Sequence, residues 1–275
     1  MVVAPSGGPV ERSMAAVTRW WAEHGWATHG SRLQTQLYVN RRPAVLSAKV
    51  LEALPALNAR NPQLEWVAPL ETPKVGEKAF AEPRDGAMLT ALGLEHLASA
   101  LARFWPVRGP VWDALAIIRF GDEASGALLA EGKNYRREMY SGGTGAGKSG
   151  SPAAAASRRQ IELAIAWTQG QLGVPLDVGR WLDPLDPARP SLYQTANRLA
   201  HIAWLRSRGV DAWLCHLFFL DDPLHQPTGR AAWEEGVGQA KRELGIAGLE
   251  LPFAGHAYLE ALDAGEVLGE SPRDR

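Results

Sequence analysis

The chain has 275 residues, 46% of them hydrophobic, enough to bury a sizeable core as one large domain or as one domain with an extension. Charged residues make up 21% and the formal net charge is −1, so the chain as a whole is not the strongly basic kind that coats nucleic acid, and any such contact has to come from a local patch. The single cysteine, Cys215, excludes an intrachain disulfide and a cysteine-rich zinc site. Residues 1–9 carry neither a basic nor an apolar region of the secretory kind, and no run of about 18 apolar residues occurs, so a cytoplasmic protein without a membrane span is expected.

In chain order, Met14, Val17, Trp20 and Trp21 recur at helical spacing and predict a helix over Ser13–His24. Leu33, Thr35, Leu37 and Val39 alternate with polar neighbours and predict a strand. A helix is expected over Pro43–Leu57, with its proline in the first turn where a missing N–H costs nothing. A short strand follows over Leu64–Leu70. Asp85 is a candidate cap for a helix over Gly86–Phe104, interrupted at Gly93. Trp112–Phe120 and Ala127–Asn134 read as two strands around a turn at Gly121–Gly126, hence a hairpin. Helices are expected over Ser157–Leu172 and over Ser191–Arg206, the latter with Ser191 as cap. Val210–Leu220 is an apolar strand suited to the middle of a sheet. A helix over Ala231–Leu244 and a loose tail complete the chain. This order predicts an α/β protein with a mixed sheet flanked by helices, divided into an N-terminal extension (1–84), a core (85–222) and a C-terminal helix and tail (223–275).

The charged residues at the end of the second hairpin strand carry chemistry. Glu131 and Lys133 are two apart, so they share one face of a strand whose preceding Leu128-Leu129-Ala130 is core-like. Charges at the end of an apolar strand need partners or a task. In an antiparallel hairpin Asp113 comes opposite that end, so Asp113 and Glu131 can converge. Two carboxylates make a hard oxygen site suited to Mg²⁺ or Mn²⁺, to which the Gly132 carbonyl can add a ligand, with Lys133 placed to orient a water or to stabilise negative charge. The bland alternative is a surface salt bridge at a strand end.

Gly109-Pro110-Val111-Trp112-Asp113 followed by Leu128-Leu129-Ala130-Glu131-Gly132-Lys133 resembles the motif of the PD-(D/E)xK nuclease superfamily, and the order of elements is similar to its α-β-β-β-α-β core. The residue before Asp113 is Trp where the motif has Pro. The resemblance implies a restriction-endonuclease-like fold and metal-dependent phosphodiester hydrolysis on a nucleic acid, DNA ahead of RNA. It also makes Glu95, on the preceding helix, a candidate third carboxylate.

Three further features compete or cooperate with this site. Gly142-Gly-Thr-Gly-Ala-Gly147-Lys148-Ser149 fits the phosphate-loop pattern G-x-x-x-x-G-K-[ST], and a nucleotide site at Gly142, Gly147, Lys148 and Ser149 is the alternative function. Such a loop needs a strand running into the glycines and a helix starting at Lys-Ser, whereas Gly150-Ser151-Pro152 moves the expected helix start to Pro152 or later. Over residues 133–159, Lys133, Arg136, Arg137, Lys148, Arg158 and Arg159 face only Glu138, a basic concentration that could hold a phosphate backbone or be an ordinary solvated loop. Gln194, Asn197, Arg198 and His201 form a helical stripe that suits either a cleft wall or a plain polar face. His201 and His216 have no partner histidine at ligand spacing and are poor metal ligands; His216, inside an apolar strand, reads as a satisfied core residue and Cys215 as a small core hydrophobe. A binding module that kept the nuclease fold without its reaction is a third possibility.

Overall fold

The computed structural model describes residues 19, 21–72, 78–121, 123–141, 143, 150–184, 190–223 and 227–268. Three helices come first, α1 (Gly30–Arg41), α2 (Pro43–Ala53) and α3 (Pro55–Asn58), followed by strand β1 (Gln63–Ala68). Next are α4 (Asp85–Ala91), a 3-10 turn (Glu95–Leu97) and α5 (Ala98–Phe104), which lead into the hairpin of β2 (Ala114–Phe120) and β3 (Glu123–Lys133). A 3-10 turn at Arg136–Met139, then α6 (Pro152–Leu172), α7 (Val178–Leu182) and α8 (Tyr193–Ser207) lead to β4 (Asp211–Leu220). The chain continues through α9 (Arg230–Leu244), β5 (Ala254–Glu260) and α10 (Ala264–Leu268).

The protein is α/β. The five strands form one mixed sheet in the order β1-β2-β3-β4-β5. β1, β2 and β3 are antiparallel neighbours, with α4 and α5 in the connection from β1 to β2, and β3, β4 and β5 run parallel. A parallel neighbour needs a long crossover, and the helices α6 to α8 provide it between β3 and β4. β4 lies inside the sheet and is apolar on both faces because helices cover both. Leu214, Phe218 and Leu220 of β4 meet α6, α8 and α9 in one cluster, while Trp213, Cys215, Leu217 and Phe219 meet α1 and α2 in another.

Two segments depart from the sequence expectation. Leu33–Val39 is helical, not a strand. Its alternation misled because the intervening Gln34 and Gln36 are also buried, each held by a hydrogen bond that periodicity cannot show. Gln34 exchanges two bonds with the backbone of Leu262 (3.0 and 2.8 Å), Thr35 donates to the Ser31 carbonyl (2.8 Å), and Gln36 accepts from the Ala27 N–H (2.7 Å). The expected loose tail contains β5, whose His256 and Tyr258 alternate with Ala257 and Leu259 as a sheet strand requires.

Smaller differences concern helix ends. The helix expected over Gly86–Phe104 is two helices separated at Gly93, where φ is 71°. Asp85 does not cap it: its carboxylate accepts from the N–H groups of Arg108 and Gly109, both at 2.9 Å, and so ties down the loop before β2. Ser191 does not cap α8 either, since the cap position is Leu192; the Ser191 hydroxyl accepts from the Tyr193 N–H at 3.3 Å. Most of the expected helix Ser13–His24 lies outside the described residues. The sheet draws β1 from before residue 85 and β5 from after residue 222, so all three segments of the chain contribute strands or helices to it.

Candidate active site

The register of the hairpin creates the site. Ala114 of β2 lies opposite Ala130 of β3, so Asp113, one residue before β2, comes opposite Glu131. The Gly132 N–H donates to Asp113 Oδ2 at 2.7 Å. The N–H and C=O of one strand residue point to the same edge, which puts the Gly132 carbonyl on the edge where Asp113 stands. Gly132 is required by close approach as well: a Cβ there would lie 2.7 Å from Thr35 Oγ1 and 3.3 Å from the Phe219 ring.

Glu131 and Lys133 share the face covered by α8. Lys133 Nζ donates to Glu131 Oε1 at 2.7 Å and to Gln194 Oε1 at 3.0 Å. Arg198, one turn further along α8, donates to Glu131 Oε2 from Nε at 2.8 Å and from Nη2 at 2.5 Å. The guanidinium also reaches the Val111 carbonyl (2.7 Å) and Asn197 Oδ1 (2.8 Å), and it lies over the Trp112 ring at 4.7 Å. The stripe Gln194, Asn197, Arg198 is therefore a wall of the site rather than a solvated face: Asn197 and Arg198 are each only 4% exposed. His201, buried beneath it, donates from Nδ1–H to the Asn197 carbonyl (2.8 Å), and burial above all holds its pKa down at about 3.

This environment separates the two acids. Burial raises the Asp113 carboxyl, and the adjacent Glu131 charge adds to the effect, against Lys133, Arg198 and the Gly132 N–H; the balance lies well above the ordinary carboxylate range, at about 7. Glu131 is the more deeply buried of the two, but Arg198 and Lys133 outweigh that penalty and keep it ionised. A buried acid that sits uneasily beside a second one is the pattern of functional carboxylates.

Glu95 does not join them. It is exposed on its 3-10 turn, and among the described residues no group of three or more His, Cys, Asp or Glu side chains is assembled for a metal. The acid that does feel Glu131 is Glu82. Burial raises its carboxyl, Arg32 pulls it down through an ion pair at 2.8 Å, and the Glu131 charge pushes it up. In the sequence Glu82 sits in Glu-Pro-Arg-Asp-Gly, which reads as turn chemistry and carries no signal of the site. Arg198 as the anchor of Glu131 was equally hidden, because nothing local fixes which strand residue a helical arginine meets.

The basic segment is not one free patch. Arg136 pairs with Glu235 at 2.9 Å, and Arg158 binds Glu162 at 2.8 Å and both oxygens of Asp183 at 2.9 Å. Arg159 is exposed and near Glu162 at 3.8 Å, and Arg137 is exposed. Gly142, Gly147, Lys148 and Ser149 lie outside the described residues. The helix that follows starts at Pro152, as expected, with the Ser151 hydroxyl accepting from the Ala154 N–H at 3.2 Å. His216 corrects a further expectation: it is not a satisfied core residue, because its buried Nδ1 has no hydrogen-bond partner among the described residues.

The fold and site together define an α/β protein with a buried acid–acid–lysine constellation at the end of a β-hairpin. No protein family, curated protein or solved structure matches the chain. No helix among the described residues is long and apolar enough to cross a membrane.

Proposed function

We propose that the protein is a metal-dependent nuclease of the restriction-endonuclease-like kind, acting on phosphodiester bonds of a nucleic acid. The observation that carries this reading is the convergence of Asp113, the Gly132 backbone, Glu131 and Lys133 at the ends of β2 and β3, through two hydrogen bonds of 2.7 Å each, Gly132 N–H to Asp113 and Lys133 to Glu131, and the charge of Glu131 on Asp113. The sheet supports the same reading: three antiparallel neighbours, β1 to β3, followed by helices and the parallel strand β4, are similar to the α-β-β-β-α-β core, although α4 and α5 stand between β1 and β2.

The donor set suits the metal. Asp113, Glu131 and the Gly132 carbonyl are hard oxygens, and Mg²⁺ or Mn²⁺ takes one or two carboxylates and completes its shell with water and phosphate. Asp113, with its raised carboxyl, would have to give up a proton to hold the ion, so binding would be coupled to proton release. When bound, the ion supplies a water of lowered pKa and neutralises charge on the phosphate. Lys133, held between Glu131 and Gln194, is restrained to hydrogen-bond the incoming water or a phosphate oxygen. Arg198 keeps Glu131 ionised and aimed. Trp112, buried beneath the guanidinium, excludes water from that side.

The same hydrogen bonds favour one second reading. Both oxygens of Glu131 are already occupied, by Lys133 and by Arg198, as in a nuclease fold that binds without cutting. The test is cleavage of labelled single- and double-stranded DNA and RNA with Mg²⁺ or Mn²⁺. The expected result is metal-dependent cleavage that Asp113→Asn and Lys133→Met abolish while far-UV circular dichroism is unchanged. Absence of cleavage on every substrate, together with Mn²⁺ binding that Asp113→Asn leaves intact, defeats the proposal.

A further inference from the structure

The face of the sheet that bears Glu131 and Lys133 does not end at the acids. Across β3, β4 and β5 the register aligns Glu131 with His216 and His256, and Lys133 with Phe218 and Tyr258. These are two side-chain rows with neighbours about 4.8 Å apart, the spacing of strands in a sheet. From these rows Lys133, His216, Phe218, His256 and Tyr258 form the floor of a cavity of about 520 Å³ roofed by α9 and by the segment that leads into β5. Lys133 lines both this cavity and the acid site, so the two are continuous.

The cavity combines three kinds of surface. Its walls are apolar, with Leu199, Phe218, Leu244 and Leu251 among them. On its floor lie two imidazoles, His216 and His256, with ring centroids 5.5 Å apart, and neither ring has a hydrogen-bond partner among the described residues. Burial keeps both neutral at pH 7, so each offers one donor and one acceptor. Lys241 brings a positive charge with no ion pair among the described residues, and Glu250 stands exposed at the rim. A purely aliphatic guest would leave the imidazoles unpaired, which a buried site penalises. A small inorganic anion would leave the apolar walls empty. A nucleotide carries a flat body, an edge of mixed donors and acceptors, and a negative charge, and its size falls within the range such cavities hold.

We propose that this cavity is a subsite for one unpaired nucleotide, with its base among His216, His256 and Leu244 and its phosphate toward Lys133 and Lys241. The inference rests on the nuclease reading and sharpens it. A base lodged beneath α9 has left its stack and its partner, so the substrate is a single strand or a frayed end rather than an intact duplex.

Two measurements test it separately from the reaction. In the first, the four deoxynucleoside 5′-monophosphates are titrated into the full chain by calorimetry in EDTA. At least one is expected to bind with a submillimolar Kd. Leu251→Trp, which fills the cavity, and Lys241→Gln are each expected to weaken that binding at least tenfold with the thermal melt retained. Octanoate is the control: if it binds and no mononucleotide does, or if neither variant changes nucleotide binding, the subsite is wrong. In the second, with Mg²⁺ present, a single-stranded oligonucleotide is expected to be cut at least tenfold faster than a covalently closed duplex. Nucleotide binding that follows the variants, without any cleavage, upholds the subsite and removes the nuclease reading. Equal cleavage of the closed duplex, without nucleotide binding, overturns the subsite and leaves the nuclease reading standing.

Discussion

Arg198 grips Glu131 Oε2 through both Nε and Nη2, at 2.8 and 2.5 Å, and so joins α8 to the end of β3 inside the protein. Both side chains are 5% exposed. The contact decides three properties of the site: the charge state of Glu131, the aim of its carboxylate and the seat of the helix that closes the wall.

Removing one partner of such a pair leaves an uncompensated buried charge. Arg198→Ala is expected to destabilise the protein by about 3–5 kcal/mol, read from urea unfolding at pH 7. Adding Glu131→Gln should recover part of that loss, because the orphaned charge is gone. If the double variant is as unstable as the sum of the two single ones, the pair is not coupled as described.

Asp113 should give stability a downward slope with pH. Its carboxyl titrates at about 7 in the folded protein and near 3.9 in an unfolded chain, so between pH 4 and 7 the folded state holds a proton that the unfolded state has released. Stability from this group is complete below pH 4, falls as pH rises through the window, and levels off above 7, a change on the order of 4 kcal/mol. Glu131, held below its ordinary value, acts oppositely and only at lower pH: its contribution is present above about 4.3 and is lost as pH falls toward 2. Asp113→Asn should flatten the pH 4–7 slope in denaturant melts, and an unchanged slope would show that Asp113 ionises normally.

Gly132 is held by packing from α1. Gly132→Ala should cost about 1–3 kcal/mol, because its Cβ would press on Thr35 Oγ1 at 2.7 Å. Thr35→Ala removes that oxygen, and the double variant should regain stability relative to Gly132→Ala alone. A double variant no better than the single would place the strain elsewhere, at Phe219 or the Ser31 carbonyl.

Metal binding should appear as stabilisation. At about 100 times its Kd, Mn²⁺ should add about 2.7 kcal/mol, measured as a rise in Tm. The rise should be larger at pH 8 than at pH 6, because at the lower pH Asp113 must first lose its proton. The same shift in Asp113→Asn would assign the ion to another site.

Much of the site was legible because strand geometry is local. Two-residue spacing put Glu131 and Lys133 on one face, and hairpin register brought Asp113 opposite Glu131. The hairpin, the apolar β4 and the helices α6, α8 and α9 follow from periodicity and turn residues for the same reason. What lay beyond local rules was lost. Glu82 and Arg198 reach Glu131 from segments 49 and 67 residues away in sequence, and no spacing pattern spans such gaps. Gln34 and Gln36 looked solvent-facing because a polar residue buried by a distant hydrogen bond has the same letter as one in water.

The amino-acid sequence by itself determined the acid–acid–lysine set, since parity and hairpin register depend only on neighbours along the chain. Tertiary structure alone decided how each acid is charged. Asp113 and Glu131 differ because Arg198 and Lys133 hydrogen-bond Glu131 and outweigh its desolvation, whereas on Asp113 the same two cations act only through space and do not offset desolvation and the Glu131 charge.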